Sequence, residues 1–295
     1  MRQFLTTLRQ IANAESVGTF AGVCRHAKWQ MRRLLHGFPC ELEICRSKLV
    51  VDEPGGVGAL VNAMGEYDYN NMEFIRECMR NWAGTFVDVG ANVGAYTLIA
   101  AEVRGVQVLA LEAHPRTFCR LQENVNRNGC SHVSCVNVAI SDREGHLRIS
   151  EGLESSLNFV VEDAAPIYSL PVASQRLDIL FRAFKLQPTL IKIDVEGHEL
   201  PVLQGLGEFS NVPKAILVEG GDRSEIRAWM REAGFAGPWF VHFRKRILND
   251  AQQKRREDPV YINQNCLAGP LSERIPFGQF LDSVKVLDAK AGLCR

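Results

Sequence analysis

The chain has 295 residues, 46% hydrophobic and 23% charged, which fits a globular protein with one main core and excludes disordered and fibrous classes. Lysine plus arginine and aspartate plus glutamate both number 34, so no net field steers the chain toward nucleic acid or an acidic membrane; only local patches remain. Nine scattered cysteines contain no Cys-x-x-Cys pair, the first residues lack the apolar core of a signal peptide, and no apolar run is long enough to span a bilayer, so the expectation is a soluble protein of the reducing cytoplasm.

Residues 1–37 read as helical. Phe4, Leu5, Leu8 and Ile11 share a face, and the basic "HAKWQMRRLLHG" spaces Trp29, Met31, Leu34 and Leu35 for a second helix. The simplest reading is a packing extension, with a membrane-surface helix as the alternative. "CELEICRSKLVVDEPGG" alternates and breaks at Pro54-Gly55-Gly56, which predicts a hairpin turning near Arg46-Ser47-Lys48. A helix over "NMEFIRECMRNW" follows. From Thr85 to about Lys245, strands rich in Val, Ile and Leu ("TFVDVG", "VQVLALEA", "VSCVNVAIS", "LIKIDVEG", "KAILVEG") alternate with helices ("PRTFCRLQENVNRNG", "HELPVLQGLGEF", "SEIRAWMREAGF"). That alternation predicts an α/β fold with a mostly parallel, doubly wound sheet and helices on both faces. "HLRIS", "WFVHFRKRI" and "PVYINQNCLA" add strands, the last two at an edge, and "LNDAQQKRREDP" reads as an exposed charge run.

In an open parallel sheet, ligands bind beyond the carboxyl ends of the strands, and the chain places its polar motifs there. In Asp88-Val-Gly90-Ala-Asn92-Val-Gly94, glycines let the backbone approach a ligand, and an acid at the strand end can hold an ammonium. The motif lacks the lysine of a phosphate loop and the Gly-x-Gly-x-x-Gly of dinucleotide folds, so a pyrophosphate is not its natural ligand. Glu112, a little over 20 residues on, stands where an acid accepts hydrogen bonds from ribose hydroxyls. Ser141 and Asp142 border an adenine or form a plain turn. The fourth strand releases Asp194, Glu196, His198 and Glu199 around Gly197, and Glu219 ends the next strand on the same cleft. Glu196 and Glu199 could cap the following helix, and His198 is either a base or a first-turn surface residue. A metal held by Asp194, Glu196 and His198 is disfavoured because consecutive strand residues point to opposite faces, so no metal is expected.

These motifs make the chain similar to the FkbM family of S-adenosylmethionine-dependent methyltransferases, from about Glu73 to about Pro270. The resemblance rests on "FVDVGANVGAYTL", "LEAHPRTFCRLQENVNRNG", "VAISDREG", "RLDIL", "LIKIDVEGHELPVLQG" and "ILVEGG". It implies a class I methyltransferase domain over residues 73–270, a helical and hairpin extension over 1–72 and a tail over 271–295. It also implies S-adenosylmethionine as cofactor, with Asp88, Gly90, Asn92 and Gly94 cupping its amino-acid end and Glu112 on the ribose. By the same analogy the acceptor is a hydroxyl on a sugar, glycolipid or natural product. No nucleic acid is expected, since an Asn/Asp-Pro-Pro-aromatic turn and a Pro-Cys pair are both missing. Peripheral membrane contact is compatible with the basic N-terminal helix, and oligomeric state stays open.

An alcohol is a poor nucleophile at neutral pH, so a base within hydrogen-bond reach should assist its attack. Asp194 or His198 is the expected base, with Glu196 or Glu199 orienting the histidine. The rival readings are a metal-assisted O-methyltransferase and a non-catalytic cofactor-binding protein.

Overall fold

The structure, a computed structural model, describes residues 19–53, 56–66, 68–151, 159–161, 168–242, 258–267 and 285–288. Helix α1 (Thr19–Leu35) leads into a hairpin of β1 (Cys40–Ile44) and β2 (Ser47–Val51), then α2 (Gly56–Met64) and α3 (Tyr69–Trp82). The alternating unit then begins: β3 (Gly84–Val89), α4 (Ala95–Ala101), β4 (Val106–Glu112), α5 (Pro115–Arg127) and β5 (Val133–Asn137). Next come β6 (Ala139–Ile140), β7 (Gly145–Ser150), β8 (Val160–Val161), β9 (Ser169–Gln175) and α6 (Leu177–Phe184). The chain continues through β10 (Pro188–Ile193), α7 (Glu199–Gln204), β11 (Ala215–Val218), α8 (Ser224–Glu232), β12 (Phe235–His242), β13 (Val260–Asn263), α9 (Gln264–Leu267) and β14 (Lys285–Asp288).

The main sheet has the order β5-β4-β3-β10-β11-β13-β12-β14. The first five strands are parallel, and β13 is antiparallel to β11 and β12. The doubly wound α/β sheet expected from the alternation is therefore present, and its strand order reverses between β3 and β10. Ligand sites of such sheets lie at that reversal.

Strand periodicity sorts the core. Phe86, Val106, Val108, Leu190, Ala215 and Leu217 face a cluster that contains Trp29, Ile44, Leu49, Val61, Met72 and Ile75. The N-terminal helices and hairpin therefore share one core with the sheet. Val87, Val89, Leu109, Leu111, Ile191, Ile193, Ile216 and Val218 face the other way, onto α6, α7 and α8. Asp88 and Lys192 sit directly opposite each other in register, on the face that carries Phe86 and Leu190.

Two local readings differ from expectation. "VSCVNVAIS" is not one strand: β5 ends at Asn137, whose side-chain amide donates to the carbonyls of Glu112 (2.8 Å) and Ala113 (2.9 Å), and β6 then joins a second sheet, ordered β6-β9-β7-β8. That sheet rests on β9, whose proline and serines hide its strand pattern. Helix α2 also escapes a sequence reading, because three glycines lie at its start. The charge run over residues 248–257, residues 1–18 and most of the tail lie outside the described residues.

Beside contacts from Glu102 and Asn128 nearer the surface, one fully buried side chain ties the hairpin to the alternating unit. Asn124 accepts from the Val50 amide at 2.8 Å and donates to the carbonyls of Val50 (3.0 Å) and Val93 (2.8 Å), the last of these in the β3–α4 turn. Asn124→Ala strands three buried backbone groups and should cost about 2–4 kcal/mol in denaturant unfolding. A loss under about 0.5 kcal/mol would show that the hairpin is not fastened here.

Candidate functional site

A cavity of about 280 Å³ opens at the carboxyl ends of β3, β4 and β10, and Gly90, Asn92, Glu112, Asp194, Glu196, His198 and Glu219 all line it. The structure thus brings both groups of expected residues to one place. Asp88, Gly94, Ser141 and Asp142 do not line it.

The glycines serve backbone packing before any ligand. Gly90 has φ 75°, and a Cβ there would collide with the carbonyl oxygen of Asp194, so β3 and β10 can close over this residue only without a side chain. At Gly94, φ 96°, a Cβ would stand 2.8 Å from Leu121 Cδ1 on α5. Asn92 takes the left-handed region, φ 51°, which asparagine tolerates better than most residues, and its Oδ1 accepts from the Val93 amide at 2.7 Å.

The turn aims Glu112. The Asn92 amide donates to Oε2 and the His114 amide to Oε1, both at 2.9 Å, which fixes the carboxylate and leaves one lone pair on each oxygen for a hydroxyl. Burial pushes this carboxyl up to about 7, against the lowering effect of the two amides. Val138, Ile140, Ile149 and Val160 form an apolar wall nearby, part of it contributed by the second sheet.

Asp88 is fully buried behind the turn. It accepts from Thr97 Oγ1 at 2.7 Å and lies 3.7 Å from the ammonium of Lys192. Lys192, which the motif reading overlooked, is 3% exposed, 3.0 Å from Asp194 and 4.6 Å from the centre of the Tyr96 ring. Register places it: Lys192 is the partner of Asp88 across two parallel strands, on one face of the sheet.

Asp194 and Glu219 share a hydrogen bond. Burial raises the Asp194 carboxyl, but Lys192 and the Glu219 bond outweigh it and hold the group below its ordinary range. Burial and the charge of Asp194 push Glu219 up to about 9, so at neutral pH Glu219 carries the proton and Asp194 the charge. Beyond them, Asp258 is raised to about 8 by burial and by Asp68 and Asp194. Asn71 joins Asp258 (3.1 Å) to Asp68 (2.7 Å), and Tyr96 donates to Asp68 at 2.7 Å. No local motif announces this network, because its members are far apart in sequence.

The loop after β10 turns sharply. Glu196 has φ 50°, unusual for a residue with a side chain, and burial together with Asp194 raises its carboxyl. Glu199 is 1% exposed; it accepts from the Gly197 amide at 2.8 Å and pairs with Arg223, so it braces the loop. Ser141 Oγ donates to Asp142 Oδ1 and lies 3.0 Å from His198 Nε2. A hydroxyl has one proton, so when it goes to Asp142, Ser141 accepts from Nε2–H and Nδ1 is the basic atom. Burial lowers the His198 pKa, which keeps the ring neutral.

Asp194, Glu196 and Glu219 each place an oxygen within 4.8 Å of the others, a spacing a cation could bridge. The strand ends at Ile193, so alternation does not separate these side chains as expected, and Glu219 rather than His198 completes the group. Lys192 already supplies a positive charge there.

The cleft fits S-adenosylmethionine on the side chains present. Glu112 offers paired acceptors to ribose hydroxyls, the apolar wall suits a purine, and the acid-rich end suits a sulfonium and an ammonium. Binding through the ionised form of Glu112 must release its proton wherever the free carboxyl holds one, that is, below about pH 7. Cofactor affinity should therefore fall about tenfold per unit below pH 7 and level off above it, in calorimetric titrations from about pH 6 to 8. Glu112→Gln should remove that slope. A wild-type affinity independent of pH would contradict the assignment.

The family model described as the methyltransferase FkbM domain matches residues 88–236, from the first motif to the start of β12. Hexuronic acid methyltransferase AglP of Haloferax volcanii is 27% identical over 161 residues, covering 50% of this chain and 61% of that protein. Methyltransferase 1 of Beauveria bassiana is 26% identical over 177 residues, covering 51% of this chain and 71% of that protein. The chain thus spans less than two thirds of the first relative. Among solved structures, the METTL16 MTase domain aligns over 65% of either chain at 11% identity and a TM-score of 0.41, too loose a likeness to carry an argument. The family match covers half the chain and takes in the Gly90 turn, Glu112 and the Asp194–His198 loop: the chain belongs to the FkbM family of S-adenosylmethionine-dependent methyltransferases.

Proposed function

We propose that the protein methylates a hydroxyl oxygen of a sugar-type acceptor, in a small molecule, glycan or natural product. The observation that supports this is the shared cleft, which Asp194, Glu196 and His198 line together with the Gly90 turn and Glu112. The bound cofactor supplies an electrophilic methyl group. The chain's task is to align the acceptor oxygen and to take its proton as the new bond forms.

Asp194 is the first candidate for that proton. Lys192 and Glu219 keep it ionised, and they also lower its basicity, so its role is to hold the hydroxyl by a charge-assisted hydrogen bond and receive the proton late. His198, neutral and oriented by Ser141, is the second candidate. A groove adjoining the cleft shares Glu196 and His198 with it and carries Arg143, His146 and Arg148. Such a basic rim suits an acidic sugar, in keeping with the name of the hexuronic acid methyltransferase relative.

The clustered oxygens of Asp194, Glu196 and Glu219 support a second reading, in which a divalent cation acidifies the hydroxyl. A chelator separates the two: activity on a uronate-bearing acceptor should survive EDTA under the first reading and be lost under the second.

Asp194→Asn should leave cofactor affinity within about threefold and lower kcat by about 10²–10⁴. Stopped-time assays with radiolabelled methyl donor would measure this. An unchanged kcat would remove Asp194 from the chemistry, and cofactor binding without turnover on any hydroxylated acceptor would favour a binding protein.

A further inference from the structure

We propose that α1 docks on an anionic lipid bilayer and holds the cleft near the membrane surface. The helix divides into three rows. Gly22, His26 and Trp29 are buried, Trp29 meeting Phe38 edge to face at 5.3 Å, and Asn62 on α2 donates to the Arg25 carbonyl at 3.1 Å. The helix is therefore seated by that row.

On the opposite side Phe20, Val23, Ala27, Met31 and Leu34 recur every three or four residues and form one stripe, extended by Leu35. Phe20 is 83% exposed, Leu34 82% and Leu35 69%. Five of the nine exposed large hydrophobic residues among those described fall in this 17-residue helix, so the exposure is concentrated and not scattered. Beside the stripe, Arg25, Lys28 and Arg32 make a basic row, also exposed. The helix contains four basic residues and no acidic one, in a chain whose net charge is zero.

Charge chooses the occupant. A second copy would bring two such basic helices together, and residues 1–18 carry two arginines against one glutamate, so neither complements the row. An anionic headgroup layer does, and it lies over the acyl boundary that would take Phe20, Met31 and Leu34; this pairing of apolar stripe and basic flank is that of helices lying in the interface plane. Among the described residues no helix is long and apolar enough to cross a membrane, so the contact would be in-plane. Helix α2, to which α1 is tied, contributes Val57 and Leu60 to the cleft wall. Docking would therefore bring the cleft toward acceptors held at a bilayer, and it stands whatever the acceptor proves to be.

The test is co-sedimentation of the full chain with phosphatidylcholine vesicles and with vesicles of phosphatidylcholine and phosphatidylglycerol. Binding is expected to the second alone, weakened about tenfold or more by high salt, by Phe20→Ser with Leu34→Ser, and by Lys28→Glu with Arg32→Glu. Because these side chains are exposed, the variants should keep the wild-type melting temperature and cofactor affinity. Failure of the wild type to bind anionic vesicles would overturn the proposal, as would undiminished binding by both folded variants. So would light scattering in which the apolar double variant converts a wild-type dimer into a monomer.

Discussion

A lysine ammonium with almost no access to water needs negative charge within a few ångströms, and the centre of this protein is arranged to meet that need. Lys192 stands between Asp88 and Asp194, over the ring of Tyr96. Burying one cation with two carboxylates is tolerable because opposite charges lie close and Thr97 donates to Asp88, although Asp88 Oδ1 has only the ammonium 3.7 Å away; removing the cation alone would leave buried anions unpaired, a change worth about 3–5 kcal/mol in comparable cases. The geometry follows from register. β3 and β10 run parallel with Asp88 opposite Lys192, and only glycine at position 90 lets the turn close against the Asp194 carbonyl. The same close approach sets the glycine turn beside the acid-bearing loop, so the cleft is a consequence of how two strands end.

The remaining acids give the cleft its electrostatic character. Glu112, Glu219 and Asp258 are pushed up to about 7, 9 and 8 by burial first; neighbouring carboxylates add to this at Glu219 and Asp258, while two backbone amides oppose it at Glu112. Protons compensate what Lys192 and Arg223 leave unbalanced. A site so built favours a cation, and the methyl donor carries two, a sulfonium and an ammonium. It also divides roles between two neighbouring carboxyls: Asp194, 3.0 Å from Lys192, keeps its charge while Glu219 keeps its proton.

Much of this was legible in the chain. The glycine turn after an apolar strand, the acid ending the next strand and the polar loop after the fourth all lie on one sheet edge, because parallel topology carries every such strand end to the same side. Residues whose roles depend on distant partners were not legible. Ser141 reads as an adenine neighbour by position, yet its hydroxyl meets His198 from a loop 57 residues away. Lys192 sits inside an apolar run and looks incidental until it is paired with Asp88. Glycines 90 and 94 also serve close approach within the fold, of the Asp194 carbonyl at one and of Leu121 at the other, which the motif alone does not reveal. The second sheet was hidden because β9 mixes proline and serine with its apolar residues, so its partners on β7 define it more than its own pattern does.

The most direct test of the account is to supply S-adenosylmethionine with a ¹³C-labelled methyl group together with uronic acid glycosides, and to locate the label by NMR. The expected product is a methyl carbon bonded to a sugar oxygen, formed by the wild type and nearly absent with Asp194→Asn. Label appearing on nitrogen or carbon, or sugar O-methylation that persists undiminished in Asp194→Asn, would contradict it.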